Sequence, residues 1–583
     1  MSTSPAPTAS GPTRRRKRPL VAVIGTTGVG KTDLGVELAL SLSSSSSSSP
    51  TRLAPRRAEV VNHDSMQCYR GLDVITNKAT SHEMRGVPHH LMGFLEPGQE
   101  WGVQDFVRDA LDKIDELEEH ETLPIAVGGT SYYLQNLVFP GQLVGDISPS
   151  SRPSSPDPTS SSSRPATPPP VPAPRTLADL ADFPPPLLAR ITSLPSPLLA
   201  LFLAFPSLPS LSSPSSLPPS FSLPLLPPSL RSPESLVPAL YALLQHVDPP
   251  SAARWHWRDV RKVSRAIEIV WTARTWDDVR DAQQERPSEG ARFRTLIFWL
   301  YADPDALHAR LDARVDKMLE RGLLSEIDEL WQVAHEPGAD PVDYSKGIYQ
   351  AIGYKEFAPY LSLAHSSAPS SSSSSSPPPG PDTSPALRAS FDAAVRTMKT
   401  STRQYAKRQV KWIRGKLLPA VRDEVERATR EGREGEGDVV VVLLDATDLS
   451  KWRVNVRDPA VDLLHKFLDG APLPDPRTLS PAAAAHLAPP SSASTSHAKR
   501  PCPTCTRDPA RPFLVEERQW DAHLGSKTHR VAARKRVQRE GQGRGRGAVG
   551  REVEEVEDRA REGDRAASGS EAGAEGDEDV ERR

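Results

Sequence analysis

Short uninterrupted apolar runs occur at residues 21–25, 59–62, 124–127, 295–301 and 439–444. Runs of this length, rich in Val, Ile and Leu, read as strands buried on both faces. Helical periodicity follows most of them, as at 31–42 and 103–117. Strands alternating with helices predict an α/β fold, a parallel doubly wound sheet with helices on both faces. Residues 305–336 and 390–416 keep helical period with no strand between them, which predicts a separate helical unit.

Other stretches have no period. Serines 43–49 interrupt the first unit, Pro, Ser, Leu and Ala dominate 141–236, a second Ser/Pro run spans 366–385, and 471–500 is a Pro/Ala/Ser linker. Of the 583 residues, 60 are proline, roughly twice the usual share of ~5 %, so a large part of the chain is expected outside any packed core. The segment 141–236, an insertion or a translated intron, is assigned no structure, although 198–205 and 223–226 are unusually apolar for a linker. Its most apolar part, 198–226, is broken at Pro206 and repeatedly afterwards. That falls short of the ~20 apolar residues a membrane helix needs, and no membrane partner is expected. The breaks divide the chain into a basic arm (1–18), a sheet core in two parts (19–140 and 237–304) and the insertion 141–236 between them. A helical region (305–420, interrupted at 365–385), a return to the core (421–470), the linker, a compact module (501–531) and a charged tail (532–583) follow.

The formal net charge of −2 averages segments of opposite sign. Residues 1–32 contain Arg14, Arg15, Arg16, Lys17 and Arg18 and no acid, which suits either a mitochondrial presequence or a disordered basic arm. A basic stretch at 530–546 precedes an acidic tail, and such blocks are usually solvated. The expected compartments are cytoplasm, mitochondrion or both, with a nuclear pool. Three cysteines exclude a disulfide scaffold.

Gly25-Thr26-Thr27-Gly28-Val29-Gly30-Lys31-Thr32 fits G-x-x-x-x-G-K-[ST], directly after the first strand and opening a helix. In that context backbone N–H groups curl around phosphate oxygens at the positive end of the helix. Lys31 would neutralise a terminal phosphate and Thr32 would hold a bridging Mg²⁺. Ligands of open parallel sheets sit beyond the carboxyl ends of the strands, so Asp64, after the second strand, and Thr130, after Val127-Gly128-Gly129, are both placed to reach that pocket. Asp303 and Asp445 follow strands equally well, so position alone does not single out Asp64. In 402–414, Arg403, Lys407, Arg408 and Lys411 recur at helical spacing with Tyr405 and Trp412 on another face. Such a stripe is either a solvated helix face or a surface for RNA phosphates.

Near the C-terminus, Cys502-x2-Cys505, 17 residues, then His523-x5-His529 form a two-Cys, two-His set. Both halves suit tetrahedral Zn²⁺, although the spacer exceeds the usual ~12–15 residues. Trp520 and Leu524 are expected to supply the small core, and Cys68 is expected to be a packing residue.

The ordered blocks resemble the tRNA dimethylallyltransferase (tRNA isopentenyltransferase) family in its eukaryotic form. They are the phosphate loop, Asn62-His-Asp64-Ser65-Met66-Gln67-Cys-Tyr69, Val127-Gly-Gly-Thr130, Val247-Asp-Pro249, Arg261-Lys262-Val-Ser264-Arg265, Arg314 ahead of Met318-Leu-Glu-Arg-Gly322, Gly347-Ile-Tyr-Gln350 and Arg403-Gln404-Tyr-Ala-Lys407-Arg408. The resemblance implies a P-loop NTPase-like sheet, a helical tRNA-binding unit and a small zinc finger of the matrin-like kind. It implies transfer of a dimethylallyl group from its diphosphate to N6 of the adenosine 3′ to the tRNA anticodon (position 37), by a monomer. In that reading Asp64 is the general base, Thr130 supports the reacting centre, and residues 25–32 with Mg²⁺ and Arg314 hold the diphosphate. Ser65, Met66 and Gln67 hold the target base extruded from the anticodon stem-loop. Arg261, Lys262, Ser264, Arg265, Arg403, Gln404, Lys407 and Arg408 contact tRNA. The chain departs from the family after Pro140, where a small helical insertion is replaced by Pro/Ser-rich sequence, and at Trp257-Arg258. Competing classes are an adenylate isopentenyltransferase, a P-loop kinase or ATPase acting on RNA, and a non-catalytic RNA-binding finger protein. The basic helix and finger argue against a free nucleotide as acceptor.

Overall fold

In the computed structural model, the residues described are 17–44, 55, 57–141, 176–208, 226–285, 290–336, 342–344, 346–367, 380–432, 438–488, 499–506 and 512–541. Most of the basic arm, the serine run after Ser44, residues 142–175 and 209–225, the 368–379 run, the linker at 489–498 and the tail beyond 541 lie outside them. Two compact units result: residues 1–173, 207–223 and 274–489, and residues 174–206, 224–273 and 490–583.

The first unit is built on six parallel strands, β1 (Pro19–Gly25), β2 (Arg57–Asn62), β3 (His89–His90), β4 (Thr122–Val127), β5 (Arg294–Tyr301) and β6 (Val439–Asp445), in the order β3-β2-β4-β1-β5-β6. All five apolar runs are strands, and the sequence missed the two-residue edge strand β3. Alternate side chains feed two cores. Leu20, Ala22, Ile24, Ile297 and Trp299 pack on one face with Phe106, Ile114 and Leu134. Val21, Val23, Phe298 and Leu300 pack on the other with Leu34, Leu38 and Leu464. This is the burial on both faces that continuous apolar strands require.

The helical stretches form Pro304–Glu320 and Leu323–Ala334, separated at Gly322 (φ 95°), and Pro385–Trp412, which Ser384 caps through the Leu387 N–H at 3.2 Å. Their expected independence from the sheet core is not observed, because they belong to the same compact unit. A third core explains this. Cys68, Tyr69, Leu72 and Ile75, just after β2, pack with Val315, Met318, Ile327, Phe357 and Met398. The Glu326 carboxylate accepts the Val74 and Ile75 N–H groups at 2.9 and 2.6 Å. Cys68 is buried there, as expected of a packing residue. Lys17 and Arg18 are also part of the fold and not a loose arm: Lys17 binds Asp438 at 2.8 Å, and Arg18 binds Asp115 and Glu118.

The second unit corrects the reading of 141–236 as structureless. Helices Pro185–Thr192 and Ser196–Ala204, together with Val260–Val270, pack against Pro233–Val247. Leu201, Phe202, Leu236, Leu240, Leu243, Val263, Ile267 and Val270 are buried, and Phe202 stacks on Trp271 with ring centroids 4.3 Å apart. Residues 237–270, expected in the sheet core, belong to this helical unit. The same unit holds the C-terminal module, a hairpin of β7 (Lys499–Pro501) and β8 (Leu514–Glu516) followed by helices Trp520–Leu524 and Lys527–Gly541. The last helix carries order ten residues past the expected end of the module, to Gly541. Among the described residues no helix is long and apolar enough to cross a membrane.

Candidate active site and metal site

The loop after β1 turns sharply enough to aim its N–H groups because three glycines take positive φ (Gly25 148°, Gly28 77°, Gly30 92°). At Gly30 an added Cβ would also meet the Trp452 ring at 2.7 Å. Thr27, Gly28, Gly30, Lys31 and Thr32 line a polar cavity of about 420 Å³. Val29 instead points into the core, and the Thr26 carbonyl accepts from Lys31 Nζ at 2.7 Å.

The ends of β2 and β4 complete this site. Gly128 lets them close: a Cβ there would lie 2.6 Å from the His63 carbonyl carbon and 2.7 Å from the Asp64 nitrogen. Asp64 Oδ1 accepts the Met66 N–H at 3.0 Å, which fixes the carboxylate. Thr130 Oγ1 accepts the Ser65 N–H at 3.1 Å and lies 3.3 Å from Ser65 Oγ. Asp303 and Asp445 are spent locally, taking a hydrogen bond from Tyr301 Oη at 3.1 Å and from the Thr447 N–H at 2.9 Å, and neither lines the cavity. Of these three strand-end aspartates, Asp64 is the one that lines the cavity.

Beside the polar cavity lies a second one, about 300 Å³, with an apolar wall of Met66, Ile75, Leu311, Val315, Met318, Ile352 and Met398 and a polar wall that includes Ser65, Lys355, Thr402 and Arg408. Thr27, Asp64, Thr76, Asn77 and Arg314 border both. A partly apolar cavity thus adjoins the polar one at the loop, with one carboxylate and one guanidinium at the junction. Arg314 is held by Nε donating to Asn77 Oδ1 at 2.7 Å, and burial lowers its pKa against the pull of Asp64 and Glu83. Arg310, Lys317 and Arg321 also line the phosphate cavity. With Arg314 they recur at steps of four, three and four. This was a legible helical stripe, of which the sequence reading took Arg314 alone. Gln409, which closes the family-like block that begins at Thr402, was given no site role. Its Oε1 accepts the Thr27 N–H at 2.9 Å and its Nε2 donates to the Gly129 carbonyl at 3.0 Å, tying the phosphate loop to β4 from the long helix.

Burial, countered by Asp64 and reinforced by Arg314, lowers the Lys31 pKa to about 8. A phosphate ligand holds the proton on. Affinity for a diphosphate ligand is therefore expected to be higher below pH 8 than above it, falling by up to about tenfold per pH unit. Calorimetric titrations at pH 7 and 9.5 at fixed Mg²⁺, with Lys31→Met as the variant that should flatten the dependence, check this. His63, fully buried beside Gly128, has its pKa lowered by burial and by Lys31 to about 4, so its ring is neutral.

The residues expected on tRNA divide. Ser65, Met66 and Arg408 line the apolar cavity, and Gln67 lines the phosphate cavity, where its Nε2 donates to the Asn77 carbonyl at 3.1 Å. Gln404 and Lys407 are exposed outside both cavities. Arg403 instead straps two helices through Asp312, with both carboxylate oxygens within 2.6 Å. In the second unit Arg261, Lys262 and Arg265 are exposed, Lys262 pairing with Asp259 and Arg265 with Glu268. Ser264 does not share their face. It is 4 % exposed, on the packed side of Val260–Val270, because residue 264 falls one turn after the buried Val260.

In the C-terminal module, Cys502, Cys505, His523 and His529 offer ligand atoms within 4.8 Å of one another. Cys505 Sγ lies 3.5 Å from both His523 Nε2 and His529 Nδ1, and those nitrogens are 3.1 Å apart. These are edges of a tetrahedron with metal bonds of ~2.0–2.3 Å. The module's core differs from expectation. Val515 is buried and Phe513 stacks on His523, whereas Leu524 is 40 % exposed.

The parallel sheet, the loop after β1 and the two adjoining cavities define a phosphate-loop fold with its site at the strand ends. Profile comparison matches residues 67–162 and 226–416 to IPP transferase. The chain is 31 % identical to the tRNA dimethylallyltransferase of Schizosaccharomyces pombe over 90 % of its own length and 96 % of that protein, and 26 % identical to the human one over 90 % and 87 %. A crystal structure of a eukaryotic dimethylallyltransferase acting on tRNA superimposes with a TM-score of 0.56 at 26 % identity, covering 90 % of this chain and 98 % of that one. The chain belongs to the IPP transferase family.

Proposed function

We propose that this protein transfers a dimethylallyl group from dimethylallyl diphosphate to N6 of an adenosine in tRNA, the one 3′ to the anticodon. The observation that carries the reading is the junction of an apolar and a cationic cavity at Asp64 and Arg314. The diphosphate lies against the loop N–H groups with Lys31, Arg314, Lys317 and Arg321, and the prenyl chain and the extruded base occupy the apolar side. The N6 lone pair forms the new bond to the allylic C1 while the C1–O bond breaks, its electron pair leaving on the diphosphate. The N6 proton passes to the Asp64 carboxylate, since an aromatic amine is a poor nucleophile until it is relieved of that proton. Thr130, held by Ser65, positions the reacting centre. The cations stabilise the charge that develops on the leaving group.

Mg²⁺ fits the oxygen donors at the phosphate cavity: the Thr32 hydroxyl, with the Asp33 and Glu83 carboxylates on the same wall. Burial and Glu83 raise the Asp33 pKa, which a cation would reverse. When bound, the ion shares the charge of the diphosphate. Zn²⁺ fits the four ligands of the C-terminal module, and the protein acts as a monomer in the cytoplasm, the mitochondrion or both, with a nuclear pool.

Mass spectrometry of nucleosides from unmodified tRNA, after incubation with the protein and dimethylallyl diphosphate, tests the reading. Prenylated adenosine at that position is expected. Product formed on free AMP and absent from tRNA would make the acceptor a nucleotide. Cys505→Ser is expected to release one zinc per chain and to weaken tRNA binding, most at low salt, because phosphate contacts supply affinity and lose their weight as salt rises. Binding titrations across salt, with zinc released to a chromogenic chelator, measure both. A collapse of single-turnover rate at saturating tRNA would place the module in the active site instead.

A further inference from the structure

One stripe of the long helix Pro385–Trp412 leads out of the apolar cavity. Thr402, Tyr405 and Arg408 line that cavity, and Trp412 follows on the same face, since steps of three, three and four keep a helical stripe. From Tyr405 to Trp412 the helix rises about 10 Å. At that point the Trp412 ring meets the ring of Tyr132, with centroids 5.3 Å apart and planes at 73°. Trp412 Nε1 donates to Gln135 Oε1 at 3.2 Å, which fixes the ring. Tyr132 lies two residues beyond Thr130 on the helix Ser131–Val138, whose other side chains are all buried, and is itself 39 % exposed. Lys407, Arg408, Lys411 and Arg414 are exposed on the neighbouring turns.

An exposed tyrosine is ordinary by itself. This one is held edge-to-face by a second aromatic, Trp412, which follows the cavity-lining Arg408 by one turn of a helix that also exposes Lys407, Lys411 and Arg414. Polyanion with flat faces is the chemistry those features match: cations track the backbone and aromatic faces take bases. We propose that Tyr132, backed by Trp412, is a stacking platform for an unpaired anticodon-loop base next to the adenosine drawn into the cavity. The inference rests on the tRNA reading above and adds a subsite to it. Its purpose follows from energetics. Extruding one base breaks its stacking with a neighbour, and a protein ring offered to that neighbour replaces the lost contact.

The full-length protein is titrated into an anticodon stem-loop carrying 2-aminopurine beside the target adenosine. Stacking quenches 2-aminopurine, so wild type and Tyr132→Phe are expected to quench it and Tyr132→Ala is not. Kd for the stem-loop is expected to rise roughly 5- to 100-fold in Tyr132→Ala, the range of one base–aromatic stack, and to stay near wild type in Tyr132→Phe. Unchanged quenching and Kd in Tyr132→Ala overturn the platform. So does an equal loss in Tyr132→Phe, which would assign the contact to the hydroxyl. A stem-loop that fails to bind wild type at all overturns the tRNA reading and this subsite with it.

Discussion

Asp64→Asn is expected to keep the fold and tRNA binding while lowering turnover by roughly 10²–10⁴, the usual weight of a general base. The change is nearly isosteric. The Asn side-chain oxygen can still accept the Met66 N–H that Asp64 Oδ1 accepts at 3.0 Å, so the loop after β2 has no reason to move. What disappears is the acceptor for the N6 proton, together with a negative charge that supports protonated Lys31. The variant should therefore also deprotonate Lys31 at a lower pH than wild type, moving the alkaline loss of diphosphate affinity downward. Single-turnover rates at saturating tRNA, alongside thermal unfolding and tRNA Kd, check the expectation. Turnover at the wild-type rate would move the base elsewhere, and Asp33 and Glu83 are the other carboxylates on the cavity wall.

What the sequence made legible was contiguous. The phosphate loop is eight consecutive residues whose strand and helix are visible on either side, and each half of the Cys/His set is a local spacing rule. Both are found where they were expected. Gln409 was not legible, because nothing local distinguishes a glutamine that touches Thr27 and Gly129 from one facing water. Arg403 shows the reverse case: a basic helical stripe in the sequence does not disclose that one of its members pairs with Asp312.

The helices that begin within 176–236 were lost to an over-reading of proline. Pro185 and Pro233 stand at the first helical position, and Pro197 stands at the second position of Ser196–Ala204. There the missing N–H costs nothing and the fixed φ favours the turn. Proline density that reads as disorder in composition was partly a set of helix starts, and the apolar 198–205 that sat oddly in a linker is the core of one. The short strand β3 escaped because two residues have no period.

Lys31→Ala is expected to lower turnover by roughly 10²–10³, the cost of removing one preorganised group from developing negative charge. The site supplies other cations, and this limits the loss. Arg314, Lys317 and Arg321 face the same cavity. They do not replace Lys31, however, because Lys31 sits inside the loop curl, anchored to the Thr26 carbonyl and close to Asp64. They reach the cavity from a different element, the helix Pro304–Glu320 and its C-cap Arg321. The same reasoning separates this protein from a phosphate-loop NTPase. Loop N–H groups read phosphate oxygens whatever the phosphate is attached to, whereas an NTPase must also align an attacking water. Here the space beside the loop has an apolar wall of Met66, Leu311, Val315, Met318 and Met398, which suits a branched hydrocarbon. Labelled dimethylallyl diphosphate should therefore modify tRNA with Mg²⁺ and no ATP. Label reaching tRNA only when ATP is added, or equally fast with Lys31→Ala, would break the assignment of this loop to the prenyl diphosphate.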